Sequence, residues 1–281
     1  MKTSKQTAKI IEHSVNPVGV SLVTWQLKYW RAIHGELMTH RVFSRNASSS
    51  RAIPVKKVLS QVWNDPAGPI HWGANQAGMQ AKQELTGMRL WLAQKLFYAA
   101  GKVMCMFAYG MTKVGLHKQV ANRILEPWQY IHVIATATEL ENFFQLRDHP
   151  DAQPEFQDLA AKMKESLVNS TPRKLETGDW HLPYISSHER VTLPIETLKR
   201  MSTARNARVS YLTHDGQSPD LKKDVDLHDT LVAAEPIHAS PTEHLACAIG
   251  GKQGKLMHKN FRGFVQYRQE VEDRINSRKE N

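Results

Sequence analysis

The sequence predicts an α+β fold: a mainly helical single domain over residues 1–281 with a small mixed or antiparallel sheet. Several long segments carry apolar residues at helical spacing, and a few short ones are rich in β-branched and aromatic residues. No long Pro-, Gly- or Ser-rich linker divides the chain. With 281 residues, 41% of them hydrophobic, the chain can bury one sizeable core.

Hydrophobic periodicity places most of the elements. Helices are predicted at 30–43, 55–63, 76–111, 118–125, 155–167 and 195–209. The helix at 76–111 is expected to break near Gly101 or Gly110. Strands are predicted at 18–29 and 128–136, with a polar loop at 44–54. Helix starts are predicted at two capping boxes, Thr138 with Glu141 and residues 240–243.

The composition limits the classes of binding partner and cellular location that we expect. The net charge of +10 favours anionic partners, namely nucleotides, folates, nucleic acid or acidic lipids. A basic surface without a specific ligand stays open as an alternative. Two cysteines cannot build a disulfide framework, and the N-terminal residues lack the apolar core of a secretory signal. The apolar stretch at 103–111 is too short to span a bilayer, so we expect a soluble cytoplasmic protein without a membrane partner.

The segment at 40–51, HRVFSRNASSSR, is the strongest candidate for anion binding. It concentrates three arginines, four serines, a histidine and an asparagine in twelve positions. Hydroxyl groups and forked guanidinium groups suit a phosphate, because the planar fork can contact two oxygens at once. A solvated surface loop of the same composition remains the alternative.

Two further segments are less specific by themselves. In HASPTEH, at 238–244, the serine, proline and glutamate are explained by helix capping, although helix starts also attract anions. The two histidines are six positions apart, which is unlike the i, i+4 pair of a zinc helix, so no metal site is expected there. In NFFQLR, at 142–147, the phenylalanines are expected in the core, and Arg147 suits the end of a helix.

Nucleophilic catalysis has no clear candidate in the sequence. Cys105 and Cys247 have apolar neighbours and are expected to be inert core residues. The glycines at 250–254 resemble a phosphate-binding loop, but Ile249 and Leu256 replace two of its required residues. An organic cofactor could therefore supply the difficult chemistry.

Five segments together resemble the flavin-dependent thymidylate synthases, the ThyX family. The family pattern R-H-R with S-x-N-E-x-S-x-R-Y is similar to residues 39–52, and H-x-S/T-P-x-E-H is similar to residues 238–244. A-R-V-S-Y/F, A-R-I-x-L-x-P, and N-F-x-x-L-R followed by A-Q-x-E are similar to residues 207–211, 122–127 and 142–155. The blocks are scattered over most of the chain.

The chain also departs from the family pattern. Thr39 stands for the first arginine, Ala47 for the glutamate, Ala52 for the last tyrosine, and Glu36 for a glutamine just upstream. The blocks at 207–211 and 238–244 follow the block at 39–52, whereas typical members have them before it. Such an order is what a circular permutation would produce. Without the first arginine, the family's usual contacts from that position to the flavin and the nucleotide are missing. Arg45 is the candidate to replace it.

The resemblance implies an activity and its participants. In that family, FAD takes a hydride from NADPH, and the methylene group of methylenetetrahydrofolate passes with a hydride to C5 of dUMP, giving dTMP. No cysteine nucleophile takes part. The family forms its sites between the subunits of a homotetramer, so the resemblance also implies that assembly.

The resemblance further assigns roles by position. Arg147 and His238 are the catalytic candidates, with Arg147 at the uracil ring and His238 near flavin and folate. The residues implied in dUMP binding are Ser49, Arg51, Arg123 and Arg147. The residues implied in binding the flavin cofactor are His40, Arg41, Asn46, Ser49, Asn142, Ser210, Ser240 and Glu243.

Two alternatives stay open at this point. The changes at Glu36, Thr39 and Ala47 are compatible with a relative that modifies dCMP or makes a 5-hydroxymethyl nucleotide, because polar pocket groups set nucleotide discrimination. The positive charge is compatible with a non-catalytic nucleotide- or RNA-binding protein. Nucleic acid is the less favoured partner, since the chain lacks a basic segment interleaved with aromatic residues.

Overall fold

The computed structural model of the chain describes residues 4–211, 220–234 and 237–279. A five-stranded sheet forms its centre, and helices pack on one face of that sheet. Two smaller sheets and further helices are built from the C-terminal part of the chain. The fold is α+β with more helix than strand, as predicted. The assignment of residues 1–281 to a single domain stays a prediction.

The central sheet is mixed and mainly antiparallel. Its strands are β1 (Thr7–Val15), β2 (Ser21–Trp30), β3 (Ser44–Ala47), β4 (Tyr130–Ala137) and β5 (Arg173–Lys174). The order across the sheet is β3-β4-β2-β1-β5, and only the pair β1–β5 is parallel. This confirms the predicted sheet, and β2 and β4 lie within three residues of the two predicted strands.

Helices account for most of the remaining described residues. The α-helices are α1 (His34–Leu37), α2 (Val55–Asn64), α3 (Gly87–Lys113), α4 (Lys118–Ala121), α5 (Glu141–Arg147), α6 (Pro154–Val168), α7 (Ser187–Thr192), α8 (Ile195–Ala207), α9 (Leu221–Ala233) and α10 (Tyr267–Lys279). Short 3-10 segments lie at Arg31–Ile33, Arg123–Trp128, Arg208–Tyr211, Ser240–His244 and Lys252–Lys255. The small strands are β6 (Trp180–His181), β7 (Ala246–Ala248), β8 (Met257–His258), β9 (Phe261–Arg262) and β10 (Phe264–Gln266).

One face of the central sheet forms the main hydrophobic core. Side chains alternate between the two faces of a strand, and on this face Trp25, Leu27 and Val133 are fully buried. They lie in one cluster with Phe143 of α5 and Phe156 of α6. Each large apolar side chain buried in this way contributes about 1.5–3 kcal/mol. The core therefore positions α5, and with it Arg147, on this side of the sheet.

The opposite face of the sheet carries polar side chains. Thr24 pairs with Thr136 across β2 and β4, and Lys28 pairs with His132 in the same register. Gln26 lies between the two pairs on β2 and accepts a hydrogen bond from the Tyr184 hydroxyl at 2.8 Å. Because paired residues share a face, all of these side chains point away from the main core.

A buried chain of hydrogen bonds fastens the C-terminal part of the protein to this polar face. His181 Nε2 lies 2.8 Å from Thr24 Oγ1, which lies 2.7 Å from Thr136 Oγ1. Thr136 Oγ1 in turn lies 2.8 Å from His244 Nδ1. Burial lowers the pKa of His244 to about 3 and lowers that of His181 well below its usual range. Both rings are therefore neutral, and residues 240–244 are held against β4.

Helix α3 differs from the predicted helix at its N-terminal end and at the expected break. It begins at Gly87 instead of residue 76, and it continues through Gly101 and Gly110 to Lys113 without a break. A Cβ atom at Gly101 would lie 3.0 Å from the ring of Trp128. Glycine at this position therefore permits a close approach between α3 and the Trp128 ring, and the expected break was wrong.

The segment at 30–47 was also predicted incorrectly. Only Arg31–Ile33 and α1 are helical within the expected helix at 30–43. The expected loop at 44–54 contains β3, which pairs with β4 from Ser44 to Ala47. Strand β3 is short and polar, so its local pattern resembles a loop. Pairing with the edge of β4 decides its conformation, which is a tertiary effect.

Neither predicted capping box is present. Thr138 Oγ1 accepts a hydrogen bond from the backbone N–H of Arg262 at 2.9 Å, and α5 begins at Glu141 without a side-chain cap. Ser240 lies inside a five-residue 3-10 segment that has Ala239 as its N-cap. That segment leads directly into β7, so no long helix follows.

The remaining helix predictions are confirmed in part. Helices α2, α6 and α8 agree closely with the predicted ones. The helix expected at 118–125 ends at Ala121, and a 3-10 segment that includes Pro127 replaces its second half. None of the helices in the described ranges is long and apolar enough to cross a bilayer.

Candidate functional site

The first group of predicted site residues is centred on Arg147 at the end of α5. Its Nε–H donates to His40 Nε2 at 2.9 Å, and one terminal nitrogen forms an ion pair with Glu36 at 2.8 Å. Its guanidinium carbon lies 4.7 Å from the centroid of the Phe156 ring. The remaining terminal nitrogen lies 3.4 Å from Thr39 Oγ1. The guanidinium is therefore fixed in place and retains N–H groups for a ligand.

His40 is neutral in this environment. Only 8% of the residue is exposed, and its ring contacts Phe43, Phe143 and Phe156. Burial, reinforced by the positive charges of Arg147 and Arg45, lowers the pKa of His40 to about 4. Because Nε2 accepts the hydrogen bond from Arg147, the proton of the neutral ring lies on Nδ1.

The second group surrounds a cavity of about 170 Å³. Asn46, His238 and Ser240 line it, together with residues of α8 and α9. The amide nitrogen of Asn46 donates to the backbone oxygen of Asn206 at 2.8 Å. The Ser240 hydroxyl lies 3.5 Å from the amide oxygen of Asn46. Asn46 therefore joins α8 and residues 240–244 at one place, which we call the Asn46 cavity.

The two groups lie on opposite faces of the central sheet. Arg45 of β3 donates to the backbone oxygens of Leu37 and His40, both at 3.0 Å, on the side of the main core. Its neighbour Asn46 points to the polar face, as consecutive strand residues must. The two predicted catalytic residues, Arg147 and His238, therefore belong to different faces of the sheet in one chain.

The position of residues 238–244 depends on residues that the sequence did not single out. Gln266 of β10 is 3% exposed, and its amide donates to Ser44 Oγ at 2.8 Å and to the backbone oxygen of Glu243 at 2.9 Å. Arg268 forms an ion pair with the Glu243 carboxylate at 2.5 Å. No local pattern marks either residue, because each acts on a segment more than twenty positions away.

The predicted phosphate ligands lie around the loop that follows β3. Arg51 is exposed, while the Ser49 backbone oxygen accepts the N–H of Ala52 at 3.0 Å. The Arg123 side chain is 53% exposed and pairs with Glu126 at 3.0 Å. Arg51 and Arg123 are thus accessible to an anion, and neither they nor Ser49 line the cavity of about 170 Å³.

The other predicted cofactor ligands do not converge either. Arg41 and Asn142 are exposed, and both belong to the Arg147 side of the sheet. The carboxylate of Glu243 is occupied by Arg268. Ser210 follows α8 in a 3-10 segment, and its side chain lies outside the described part of the structure.

Comparison with protein families identifies the N-terminal part of the chain. The family described as "Thymidylate synthase complementing protein" matches residues 9–173. The match includes the blocks at 39–52, 122–127 and 142–155, and it ends before the blocks at 207–211 and 238–244. It confirms the family resemblance read from the motifs. None of the curated proteins compared with the chain matches it.

Solved structures of two proteins are among those that match part of the chain. A UMP/dUMP methylase, PolB from Streptomyces cacaoi bound with 5-Br UMP, has a TM-score of 0.49 and 16% identity, covering 59% of this chain and 90% of that one. The same methylase bound with 5-Br dUMP has a TM-score of 0.47 and 15% identity, covering 59% of this chain and 91% of that one. Thymidylate Synthase X from Helicobacter pylori, with FAD and dUMP, has a TM-score of 0.36 and 18% identity, covering 52% of this chain and 67% of that one.

The electrostatics of His40 yield a testable prediction. Its folded-state pKa of about 4 lies below the ordinary value of 6.5, so its contribution to stability is complete above pH 6.5 and is lost as the pH falls towards 4. We expect the ring to titrate near pH 4 by NMR. Arg147→Gln should raise that midpoint because it removes a nearby cation, whereas Arg200→Gln, on the surface of α8, should not. A wild-type midpoint near 6.5 would refute this account.

Proposed function

The chain belongs to the thymidylate synthase complementing protein family, and from that membership we propose that it methylates dUMP to dTMP. The reaction proposed uses FAD, with NADPH and methylenetetrahydrofolate as co-substrates. Family membership supports the coarser statement, an enzyme that methylates a pyrimidine nucleotide. The nucleotide, the cofactor and the reductant are carried over from the family resemblance.

The observation that carries the proposal is the meeting of separate motif blocks at the Asn46 cavity. The blocks at 39–52 and 238–244 both contribute to its lining, and Ala207 adds the first residue of the block at 207–211. These segments are far apart in sequence, and the fold brings them to one surface. Their convergence is what a common ligand requires.

The roles proposed for single residues follow their positions. Arg147 would donate to the uracil ring and stabilise negative charge on it, since Glu36 and His40 hold the guanidinium in a fixed orientation. Ser49, Arg51 and Arg123 would bind the phosphate of dUMP. His238 lines the Asn46 cavity and would contact flavin and folate there.

The Asn46 cavity fits part of a flavin, and we propose that it holds one. Ser240 Oγ lies 3.5 Å from the amide oxygen of Asn46, a contact long enough that the hydroxyl can turn to a ligand in the cavity. The proposed flavin ligands on the polar side are Asn46, Ser240 and Glu243, and those on the Arg147 side are His40, Arg41 and Asn142. Ser210 is proposed as a further ligand from the family resemblance. Bound flavin would supply the hydride chemistry, for which no side chain is suited.

The two cysteine side chains are poorly suited to act as nucleophiles, which is consistent with a reaction that uses none. Burial raises the pKa of both Cys105 and Cys247. Cys105 of α3 is also buried in a hydrophobic cluster, away from both groups of site residues. A thiolate is therefore unfavourable at either position, as the sequence predicted.

We further propose that the active site is completed between copies of this chain in a homotetramer. A cavity of about 170 Å³ is smaller than the roughly 300–1,000 Å³ of typical small-molecule sites. The Arg147 group and the Asn46 cavity lie on opposite faces of one sheet, so a second copy is needed to bring such groups onto one ligand. Both facts are explained if each site takes its two halves from different chains.

Helix α3 offers the surface for that assembly. Its residues 92, 96, 99, 103, 106 and 110 are all exposed, and they are spaced alternately four and three positions apart. Among them, Leu96 is 62% and Met106 is 59% exposed. This spacing forms a stripe along one side of a 27-residue helix, which is the pattern of a helix–helix seam.

Product analysis tests the proposed reaction. Purified protein is incubated with dUMP, FAD, NADPH and methylenetetrahydrofolate, and the nucleotide product is identified by mass. We expect a gain of one methyl group with tetrahydrofolate as co-product. Unchanged dUMP in the presence of bound flavin would refute the dUMP assignment, and dCMP would be the next substrate to test.

Substitution of Arg147 tests its proposed role. Arg147→Ala should lower kcat by about a hundredfold or more, because it removes a fixed donor to the developing negative charge. Arg147→Lys should restore little activity, since an ammonium group cannot reproduce the fork. Arg200→Ala, which removes only a surface ion pair, serves as the control. Near-normal kcat in Arg147→Ala, with an unchanged melting temperature, would exclude the role.

Substitution on α3 tests the assembly. Leu96→Glu places a charge in the proposed seam, so light scattering after size-exclusion chromatography should show loss of the tetramer. Val191→Glu on α7, where the wild-type side chain is 83% exposed, is the matched control and should leave the mass unchanged. A monomeric wild-type protein, or a tetrameric Leu96→Glu variant, would argue against this surface.

A further inference from the structure

A second cavity lies on the polar face of the sheet, beside the Asn46 cavity. It has a volume of about 110 Å³ and is lined by Lys28 of β2, by Tyr130 and His132 of β4, and by Lys57 and Gln61 of α2. Lys28 and His132 are direct partners in the β2–β4 register, so their side chains emerge together from the sheet. We call this cavity the Lys28 cleft.

The two lysines of the Lys28 cleft are not ion-paired with the nearby acids. Asp65, at the end of α2, forms an ion pair with Lys5, and Glu126 forms ion pairs with Arg31 and Arg123. Neither acid pairs with Lys28 or Lys57. The Lys28 ammonium lies 4.4 Å from the centroid of the Tyr130 ring. An ammonium group held over an aromatic face is positioned without being neutralised.

Tyr130 gives the cleft a hydrogen-bond donor and a flat apolar surface. Burial, with a contribution from the charge of Asp65, raises the pKa of Tyr130 to about 12, so its hydroxyl keeps its proton. The main-chain N–H of His132 donates to Ser48 Oγ at 3.1 Å, which fixes the wall next to the phosphate-binding segment proposed above. Two lysines, a phenol and an aromatic face together suit the anionic end of a ligand.

The cleft adjoins the Asn46 cavity closely enough for one ligand to reach both. Ala52 lines the Asn46 cavity, and the next residue, Ile53, lines the Lys28 cleft. Asn46 pairs with Ile134 on β4, and His132 lies two positions before Ile134 on the same face. Two residues along a strand correspond to about 7 Å. A ligand of modest length can therefore lie in the Asn46 cavity with its end in the cleft.

We propose that the Lys28 cleft is an anion subsite that binds the terminal carboxylates or phosphates of an elongated ligand held in the Asn46 cavity. The identification of that ligand as a cofactor or co-substrate rests on the proposed function, whereas anion binding at the cleft does not. The glutamate tail of the folate and the diphosphate of FAD share the required chemistry. Lys28 and Lys57 would provide the two charges, and Tyr130 a hydrogen bond.

The experiment compares anion binding by wild-type protein, a Lys28→Gln/Lys57→Gln variant, and Lys56→Gln. Lys56 neighbours Lys57 on α2 and is exposed, but it does not line the cleft. Triglutamate and pyrophosphate are titrated by calorimetry at low and at physiological salt. We expect the double variant to bind at least one probe about tenfold more weakly, with a reduced salt dependence, and Lys56→Gln to bind within about twofold of wild type.

The outcomes separate this proposal from the proposed function. Preferential loss of triglutamate binding identifies a carboxylate tail, and preferential loss of pyrophosphate binding identifies a phosphate. A matching rise in KM for tri-glutamylated methylenetetrahydrofolate, or in the Kd for FAD, would then identify the ligand. Probe binding without any methylated product would refute the proposed function alone. Equal binding by the double variant and wild type, or an equal loss in Lys56→Gln, would overturn the anion subsite.

Discussion

The antiparallel pairing of β2 with β4 is the constraint on which the rest of the structure depends. It sorts alternate residues onto two faces of very different chemistry. Trp25 and Val133 face the core with α5 and α6, while Thr24, Lys28 and His132 face the opposite side. A shift of one residue in this register would exchange the two sets and bury the charged groups without partners.

A polar sheet face can be covered only if its buried groups are hydrogen-bonded. The chain from His181 through Thr24 and Thr136 to His244 supplies such hydrogen bonds, although His244 Nε2 is buried without a partner among the described residues. Because burial keeps both imidazoles neutral, no charge is trapped there. This part of the face holds residues 240–244 at the edge of the Asn46 cavity, and Lys28 lies farther along β2, under α2.

The same sorting places the two groups of predicted site residues on opposite faces of the sheet. Arg45 and Asn46 are neighbours on β3, so their side chains must diverge, one towards His40 and the Arg147 group and the other towards Ser240. The proposal of a site shared between chains follows from this geometry together with the small cavity. The exposed apolar stripe of α3 supplies a surface by which copies could associate.

The sequence by itself determined the family, the residue chemistry of the motif blocks and the approximate bounds of elements such as β2, β4, α2 and α6. It did not determine β3, whose conformation depends on the edge of β4, or the role of Gly101, which permits contact with the Trp128 ring. Nor did it reveal Gln266, which joins Ser44 to the backbone of Glu243. Periodicity and capping are properties of neighbouring residues, whereas these features depend on contacts between distant segments, and only the tertiary structure decides which segments meet.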